Sequence, residues 1–217
     1  MSIDELAAAA LELVPDGGRA ILGIAGVPGA GKTTLAEAIV NRVTAERAPE
    51  FVAHVPMDGY HLADIQLDHL GLRQRKGAPE TFDATGYAAL LRRLHTDTER
   101  PVYAPGFERT LEQPIAGAIV VPPTARLVIT EGNYLLLARP QWREARAALD
   151  AVWWVETDDA VRIQRLIARH TQFGKPPEAA AAWVANVDEA NTALLRSAGD
   201  PPDRAVLEAD QAWRFKD

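Results

Sequence analysis

The sequence predicts an α/β protein built around a mainly parallel, doubly wound β-sheet. Short apolar runs alternate with longer segments whose apolar residues recur at helical spacing, which is the pattern of strands joined by crossover helices. The length of 217 residues suits one such domain, and the chain contains no internal repeat and no low-complexity linker. We therefore expect a single domain over residues 1–217.

The first half of the chain has three predicted helices and three predicted strands. In chain order, they are a helix over Ser2–Val14, a strand over Arg19–Ala25, a helix over Lys32–Arg47, a strand over Phe51–Pro56, a helix over Thr85–His95 and a strand over Val102–Ala104. The polar, irregular segment 60–84 is too long for a passive connection, so it predicts a substrate loop. The proline- and glycine-rich segment after Ala104 predicts a hairpin.

The second half continues the alternation and supplies the remaining strands. Its predicted elements are a strand over Arg126–Thr130, a helix over Gln141–Leu149, a strand over Ala151–Val155, a helix capped by Asp158 and ending near His170, a helix over Glu178–Ser197 and a strand over Ala205–Glu208. A break at Gly174–Pro177 separates the last two helices. We expect the tryptophans, Trp183 among them, to pack in the core or in an interface.

Composition and charge narrow the classes of partner. The net charge of −7 repels a polyanion, so we expect no nucleic-acid partner. The absence of cysteine excludes disulfides and thiolate metal sites and fits a reducing cytoplasm. The N-terminal helix carries Asp4, Glu5 and Glu12 without a basic flank, unlike a signal peptide, and no apolar run approaches the ~20 residues of a membrane helix. These features predict a cytoplasmic protein with no membrane partner.

The segment GVPGAGKTT fits the phosphate-binding P-loop pattern G-x-x-x-x-G-K-[ST] between a predicted strand and a predicted helix. Backbone N–H groups at such a helix N-terminus surround a phosphate chain. Lys32 can neutralise the β- and γ-phosphates, and the Thr33 hydroxyl can bind Mg²⁺. The pattern predicts a three-layer P-loop NTPase fold. The predicted nucleotide-binding residues are Gly26, Val27, Pro28, Gly29, Ala30, Gly31, Lys32, Thr33 and Thr34.

Two carboxylates follow predicted strands at the edge where parallel sheets bind ligands. Glu131 ends the strand RLVIT and can hold Mg²⁺, directly or through water, opposite Thr33. Asp58 follows the second strand and can accept the proton of an attacking hydroxyl group. The chain has neither the N-K-x-D guanine signature nor the L-S-G-G-Q transporter signature. Together these observations favour a small-molecule kinase, with Asp58 and Lys32 as catalytic residues.

Five segments in a fixed order carry a family resemblance. The segments GVPGAGKTT, MDGYH, KGAPETFD, VYAPGFER and VITEGNYLL resemble the uridine kinase, phosphoribulokinase and bacterial-type pantothenate kinase group of P-loop kinases, over about residues 20–200. The chain looks most like a bacterial fructokinase-like or nucleoside kinase-like subgroup. The resemblance implies ATP and Mg²⁺ as cofactors, Asp58 as general base and Glu131 as the acidic strand-end residue. It also implies that a homodimer is possible, although no heptad pattern argues for one.

The resemblance extends to the acceptor site. Two segments, about residues 58–84 and 103–117, match regions that bind a small-molecule phosphoryl acceptor in the family. Aromatic walls with one guanidinium group suit a polar metabolite. The predicted acceptor-binding residues are Tyr60, His61, Arg75, Tyr103, Phe107 and Arg109.

A basic stripe predicts a helical lid. Arg162, Arg165 and Arg169 are spaced at i, i+3 and i+7, so we expect them to share one helix face. The stripe matches the family's lid helix, whose arginines close over the phosphates, and we place the lid at about residues 158–178. Arg165 and Arg169 are the predicted catalytic arginines.

Two functions from different classes are compatible with the sequence. The first is an ATP-dependent kinase that transfers the γ-phosphoryl group to a hydroxyl group of a sugar, a nucleoside or a pantothenate-like compound. The second is a nucleotide-binding regulatory or partner-binding P-loop protein with little turnover. Acceptor-dependent release of ADP distinguishes the two.

Overall fold

Eight strands and eight α-helices form the part of the chain that the structure, a computed structural model, describes, residues 3–209 and 212–216. The strands are β1 (Ala20–Ala25), β2 (Val52–His54), β3 (Val102–Glu108), β4 (Gln113–Val121), β5 (Leu127–Gly132), β6 (Ala151–Glu156), β7 (Arg204–Ala209) and β8 (Ala212–Phe215). The helices are α1 (Ile3–Glu12), α2 (Lys32–Glu46), α3 (Asp64–Leu70), α4 (Ala84–Thr96), α5 (Pro140–Arg146), α6 (Asp159–Gln172), α7 (Pro177–Trp183) and α8 (Glu189–Ala198).

Six strands form the central sheet in the order β2-β5-β1-β6-β7-β8. The first five are parallel, and β8 runs antiparallel to β7. Every residue of β1 and β5 is buried, because helices cover both faces of the sheet. Ala25 at the end of β1 lies opposite Gly132 of β5 and Trp154 of β6, so these strands end at one edge. The predicted α/β fold with a mainly parallel sheet is confirmed.

A separate two-stranded sheet carries one side of the candidate site. Strands β3 and β4 pair antiparallel, with a register shift between Ala104 and Gly106. The predicted hairpin is therefore confirmed. Its first strand is longer than expected, because pairing continues as far as Glu108 opposite Gln113.

Two predicted segments need correction, and one observed strand is additional. The segment expected to be irregular contains α3. This helix buries only Leu67, so its sequence shows little helical periodicity. It ends where Gly71 adopts a left-handed φ of 67°. The single helix expected over residues 178–197 is two helices separated by a π-helical turn at Val184–Asp188. Strand β8 was not predicted.

The remaining elements match their predictions to within a few residues. The N-terminal helix spans Ile3–Glu12, and the predicted start at Ser2 lies outside the described residues. The Asp158 side chain caps α6 by accepting hydrogen bonds from the backbone N–H groups of Ala160 and Val161 at 2.9 and 3.2 Å. Across residues 3–209 and 212–216, the structure contains no helix with the length and hydropathy of a membrane span.

Candidate active site

The P-loop lies between β1 and the first turn of α2. Gly29 and Gly31 have φ values of 78° and 87°, a left-handed conformation that favours glycine. Gly31 directly precedes α2, whose first N–H groups have no partner within the helix and can bind phosphate. Of the predicted nucleotide-binding residues, Pro28, Gly29, Lys32 and Thr33 line a cavity of about 380 Å³. The others, Gly26, Val27, Ala30, Gly31 and Thr34, complete the loop and the start of the helix around it.

Burial shapes the charges at the phosphate end of this cavity. Desolvation lowers the pKa of Lys32 to about 8, against the opposing effects of Glu131 and Asp58. The Lys32 ammonium donates to the carbonyl oxygen of Val27 at 3.1 Å. Burial, together with repulsion from Asp58, raises the pKa of Glu131, and Lys32 opposes that shift. A bound phosphate would favour the charged form of Lys32.

Thr33 and Glu131 are suitably placed for a shared cation. The Thr33 hydroxyl donates to the Glu131 carboxylate at 2.9 Å across the gap between α2 and β5. Both side chains supply the hard oxygen donors that Mg²⁺ prefers. The described residues contain no group of three or more His, Asp or Glu side chains that could hold a metal ion. A Mg²⁺ ion bound here would draw further ligands from phosphate and water, as is usual for this ion.

Asp58 faces the same cavity from a short 3-10 turn, Met57–Tyr60, that follows β2. Its carboxylate lies 3.7 Å from the guanidinium group of Arg109 on the hairpin. Gly59, the next residue, contacts the backbone of the hairpin, since a Cβ at that position would lie only 2.2 Å from the carbonyl oxygen of Pro105. The glycine therefore lets β3 pack directly against the turn that carries Asp58.

Aromatic side chains surround the cavity next to Asp58. The His61 ring lies 3.8 Å from the ring of Phe82 and 4.9 Å from that of Phe107, measured between centroids. Burial lowers the pKa of His61 despite the nearby Asp58 charge. His61, Phe107 and Arg109, three of the predicted acceptor-binding residues, all line the cavity.

The predicted lid helix α6 packs on the P-loop. A Cβ at Gly29 would lie 2.7 Å from the carbonyl oxygen of Arg162 and 2.8 Å from Leu166 Cγ, so only glycine permits this contact. Arg169 lines the cavity. Arg165 is not among the cavity-lining residues; its two guanidinium nitrogens donate to Glu208 of β7 at 2.5 and 2.6 Å, close to Gly31 of the P-loop. Arg169 therefore faces the cavity, whereas the role predicted for Arg165 would require it to leave Glu208.

Arg162 shares the helix face of Arg165 and Arg169 by its spacing but does not reach the phosphate site. Its side chain is fully buried, and its guanidinium donates to Asp159 at 2.6 Å and to Glu189 at 2.6 and 2.9 Å. The position is four residues before Leu166, the other residue of α6 that is buried. Arg162 thus belongs to the packed face of the helix and joins α6 to α8.

The chain was compared with known proteins, and no protein-family model matches it. It is 36% identical over 177 residues to a candidate uridine kinase of Schizosaccharomyces pombe, covering 80% of this chain and 75% of the other. An ATP-dependent kinase-like protein of Aspergillus versicolor is 38% identical over 133 residues, covering 58% and 77%. A solved candidate fructose transport system kinase from Silicibacter sp. TM1040 is 36% identical, with a TM-score of 0.86 over 96% of this chain and 100% of the other.

The chain belongs to the P-loop kinases related to uridine kinase. These similarities support an ATP-dependent kinase and leave its acceptor open. They also agree with the fold, since the solved relative superposes over nearly the whole chain.

Three predicted acceptor residues of this P-loop kinase lie outside the cavity. Tyr60 packs against Tyr87 with ring centroids 5.3 Å apart, and burial raises its pKa to about 12. Arg75 pairs with Glu80 at 2.6 Å on the surface. Tyr103 is 62% exposed on the hairpin. The geometry gives no support to acceptor contacts by Tyr60, Arg75 or Tyr103.

Sequence reasoning missed the residues that α7, α8 and the π-helical turn contribute to the P-loop kinase's cavity. Trp183, expected in the core, lines the cavity, and the Lys175 ammonium lies 4.7 Å from its ring centroid. Asp188 and Asn191 also line it and are buried. Polar residues on the buried face of a helix were the available signal, because such groups need a partner or a ligand.

Proposed function

We propose that this protein transfers the γ-phosphoryl group of ATP to a hydroxyl group of a small polar metabolite. The observation that carries the proposal is that Asp58 borders the same cavity as Lys32 and the P-loop. A carboxylate beside a phosphate site can serve as the general base for an incoming alcohol. The related kinases support the same reaction type.

The proposed step is a direct displacement. The acceptor oxygen forms a bond to the γ-phosphorus, the bond from that phosphorus to the β–γ bridging oxygen breaks, and the hydroxyl proton passes to Asp58. Lys32 and Arg169 stabilise the negative charge of the transferring group, and ADP leaves. When bound, Mg²⁺ held by Thr33 and Glu131 would neutralise further phosphate charge.

The test is Asp58→Asn, which keeps the side-chain shape and removes the base. We expect kcat to fall by about 10²- to 10⁴-fold, with ATP affinity retained. A coupled ADP-release assay over nucleosides, sugars and pantothenate measures turnover, and titration calorimetry measures ATP binding. Asp16→Asn, at an exposed position before β1, is the matched control.

Two results would count against the proposal. Unchanged turnover in Asp58→Asn would remove the assigned base. Equal ADP release with every acceptor and without any would favour a nucleotide-binding regulatory protein instead.

A further inference from the structure

The lid side of the cavity contains a histidine–aspartate contact that phosphoryl transfer does not use. His170 Nε2 lies 3.0 Å from the Asp188 carboxylate, and the two side chains are 18% and 11% exposed. Both line the cavity together with Asn191 and Trp183. Only one carboxylate oxygen of Asp188 contacts His170, and within residues 3–209 and 212–216 no lysine or arginine forms an ion pair with this side chain. The carboxylate can therefore accept further hydrogen bonds from a ligand.

The backbone at Asp188 adds a second observation. Asp188 ends the π-helical turn Val184–Asp188 between α7 and α8. Such turns insert one residue into a helix, re-aim the side chains around it and occur frequently at functional sites. Val184 and Asp188, the two buried residues of this turn, begin and end it, and Asp188 lines the cavity.

Charges at the acceptor end of the cavity are already balanced. Arg73 and Lys76 both pair with Asp64 at 2.8 Å. Arg109 lies beside Asp58. Lys175 lies over the Trp183 ring, and the Glu112 carboxylate also lines the cavity. An anionic acceptor would have to compete with Asp64 or Asp58 for a cation or draw Lys175 from the Trp183 ring, and it would face Asp188 and Glu112; burying an anion beside these carboxylates is costly.

We propose that the phosphoryl acceptor is an uncharged polyhydroxy compound and that Asp188, oriented by His170, accepts a hydrogen bond from one of its hydroxyl groups. The inference rests on the proposed function, since it places a second hydroxyl of the acceptor on the lid side while the reacting hydroxyl lies at Asp58. It selects sugars, polyols and nucleosides over hydroxy acids and phosphorylated sugars. A site that hydrogen-bonds a hydroxyl discriminates strongly against compounds that lack it.

Matched pairs of compounds test the charge rule. The pairs are glycerol and D-glycerate, panthenol and pantothenate, D-ribose and ribose 5-phosphate, and uridine and uridine monophosphate, each assayed for acceptor-dependent ADP release by the full chain. We expect the uncharged member of the best pair to have the higher kcat/KM. A preference for the anionic member overturns the inference and leaves the phosphotransfer proposal intact. ADP release with no member of any pair defeats both.

Asp188→Asn tests the named contact with the best uncharged acceptor. The amide keeps the shape and loses the charge, so we expect the acceptor KM to rise by about tenfold to a hundredfold, as for a charged hydrogen bond, with the ATP KM unchanged. His170→Gln should have a smaller effect in the same direction. Glu178→Gln, on the exposed side of α7, is the matched control. An unchanged acceptor KM in Asp188→Asn, or an equal rise in both KM values, contradicts the assignment.

Discussion

The ammonium group of Lys32 is buried, and desolvation lowers its pKa to about 8. Its positive form, which binds phosphate, is therefore complete only below that pH in the free protein. The unfolded chain keeps the ordinary lysine pKa of 10.5, so the buried charge disfavours folding below about pH 8 and this penalty fades as the pH rises toward 10.5. Nucleotide affinity should instead decrease as the pH rises, because the phosphate binds the charged form of Lys32.

The affinity for ATP should fall as the pH rises above about 8. Binding of phosphate requires the proton on Lys32, so the association constant should drop by up to about tenfold for each further pH unit. Titration calorimetry with ATP from pH 6.5 to 9.5, in EDTA and without acceptor, measures the trend. In Lys32→Arg the side chain stays charged, so any remaining ATP affinity should not decrease over this pH range. A flat profile in the native protein would show that Lys32 does not control binding.

Arg169 and Arg165 should differ in their effect on catalysis. Arg169 lines the cavity, whereas Arg165 is held by Glu208. We expect Arg169→Ala to lower kcat by about 10²-fold or more, the usual cost of removing one group that stabilises transition-state charge. Arg165→Ala should lower kcat by less than about tenfold on the same reasoning. Steady-state kinetics at saturating ATP give both values, and the reverse order would refute the assignment.

The largest departure from sequence-based reasoning at the scale of an element is the anchoring of α6. The basic stripe predicted a lid whose arginines close over the phosphates, but buried Arg162 instead joins α6 to α8, and the backbone of α6 contacts the P-loop at Gly29. Periodicity assigns an arginine to the surface by default, and only the acidic partners Asp159 and Glu189 make its burial favourable. Glu189 is 27 residues away in the chain, so no local pattern shows it.

Removal of the Arg162 guanidinium should destabilise the whole protein. Arg162→Met removes charged hydrogen bonds to Asp159 and Glu189, whose side chains are 49% and 37% exposed, so it should cost about 1.5–3 kcal/mol and lower Tm by roughly 5 °C in a chain of this size. Arg196→Met removes an exposed partner of the same Asp159 and should cost less than about 1 kcal/mol. Thermal unfolding followed by circular dichroism compares the two. Equal shifts would mean that burial of Arg162 contributes nothing.

Much of the whole molecule follows from local patterns in the chain. The strand order could not be read from them, but the strand ends could, and Lys32, Asp58 and Glu131 each follow a strand whose apolar run predicted it. The parallel sheet then brings these residues to one edge. Trp183 and Asp188 were not assigned to the site, because α7 and the π-helical turn lie far along the chain and no local pattern links them to the P-loop.

A nucleotide should stabilise the fold as a whole. ATP with Mg²⁺ at about 100 times its Kd adds about 2.7 kcal/mol to the free energy of unfolding, which corresponds to a rise in Tm of roughly 5–10 °C. Lys32→Ala should lose most of this rise because its phosphate contact is gone. Differential scanning fluorimetry measures both proteins side by side. An equal rise in the variant would indicate that ATP binds elsewhere.

In the described part of the chain the hairpin of β3 and β4 is separate from the six-stranded sheet, although Val102, Ala104 and Val121 anchor it in the hydrophobic core. The hairpin carries Phe107 and Arg109, whereas the nucleotide-binding loop follows the fully buried strand β1. Under the proposed function these two residues border the acceptor, so changes in the hairpin would alter which metabolite is accepted while the residues of the nucleotide loop stay as they are. A kinase built in this way could change its acceptor through a few substitutions in the β3–β4 hairpin alone.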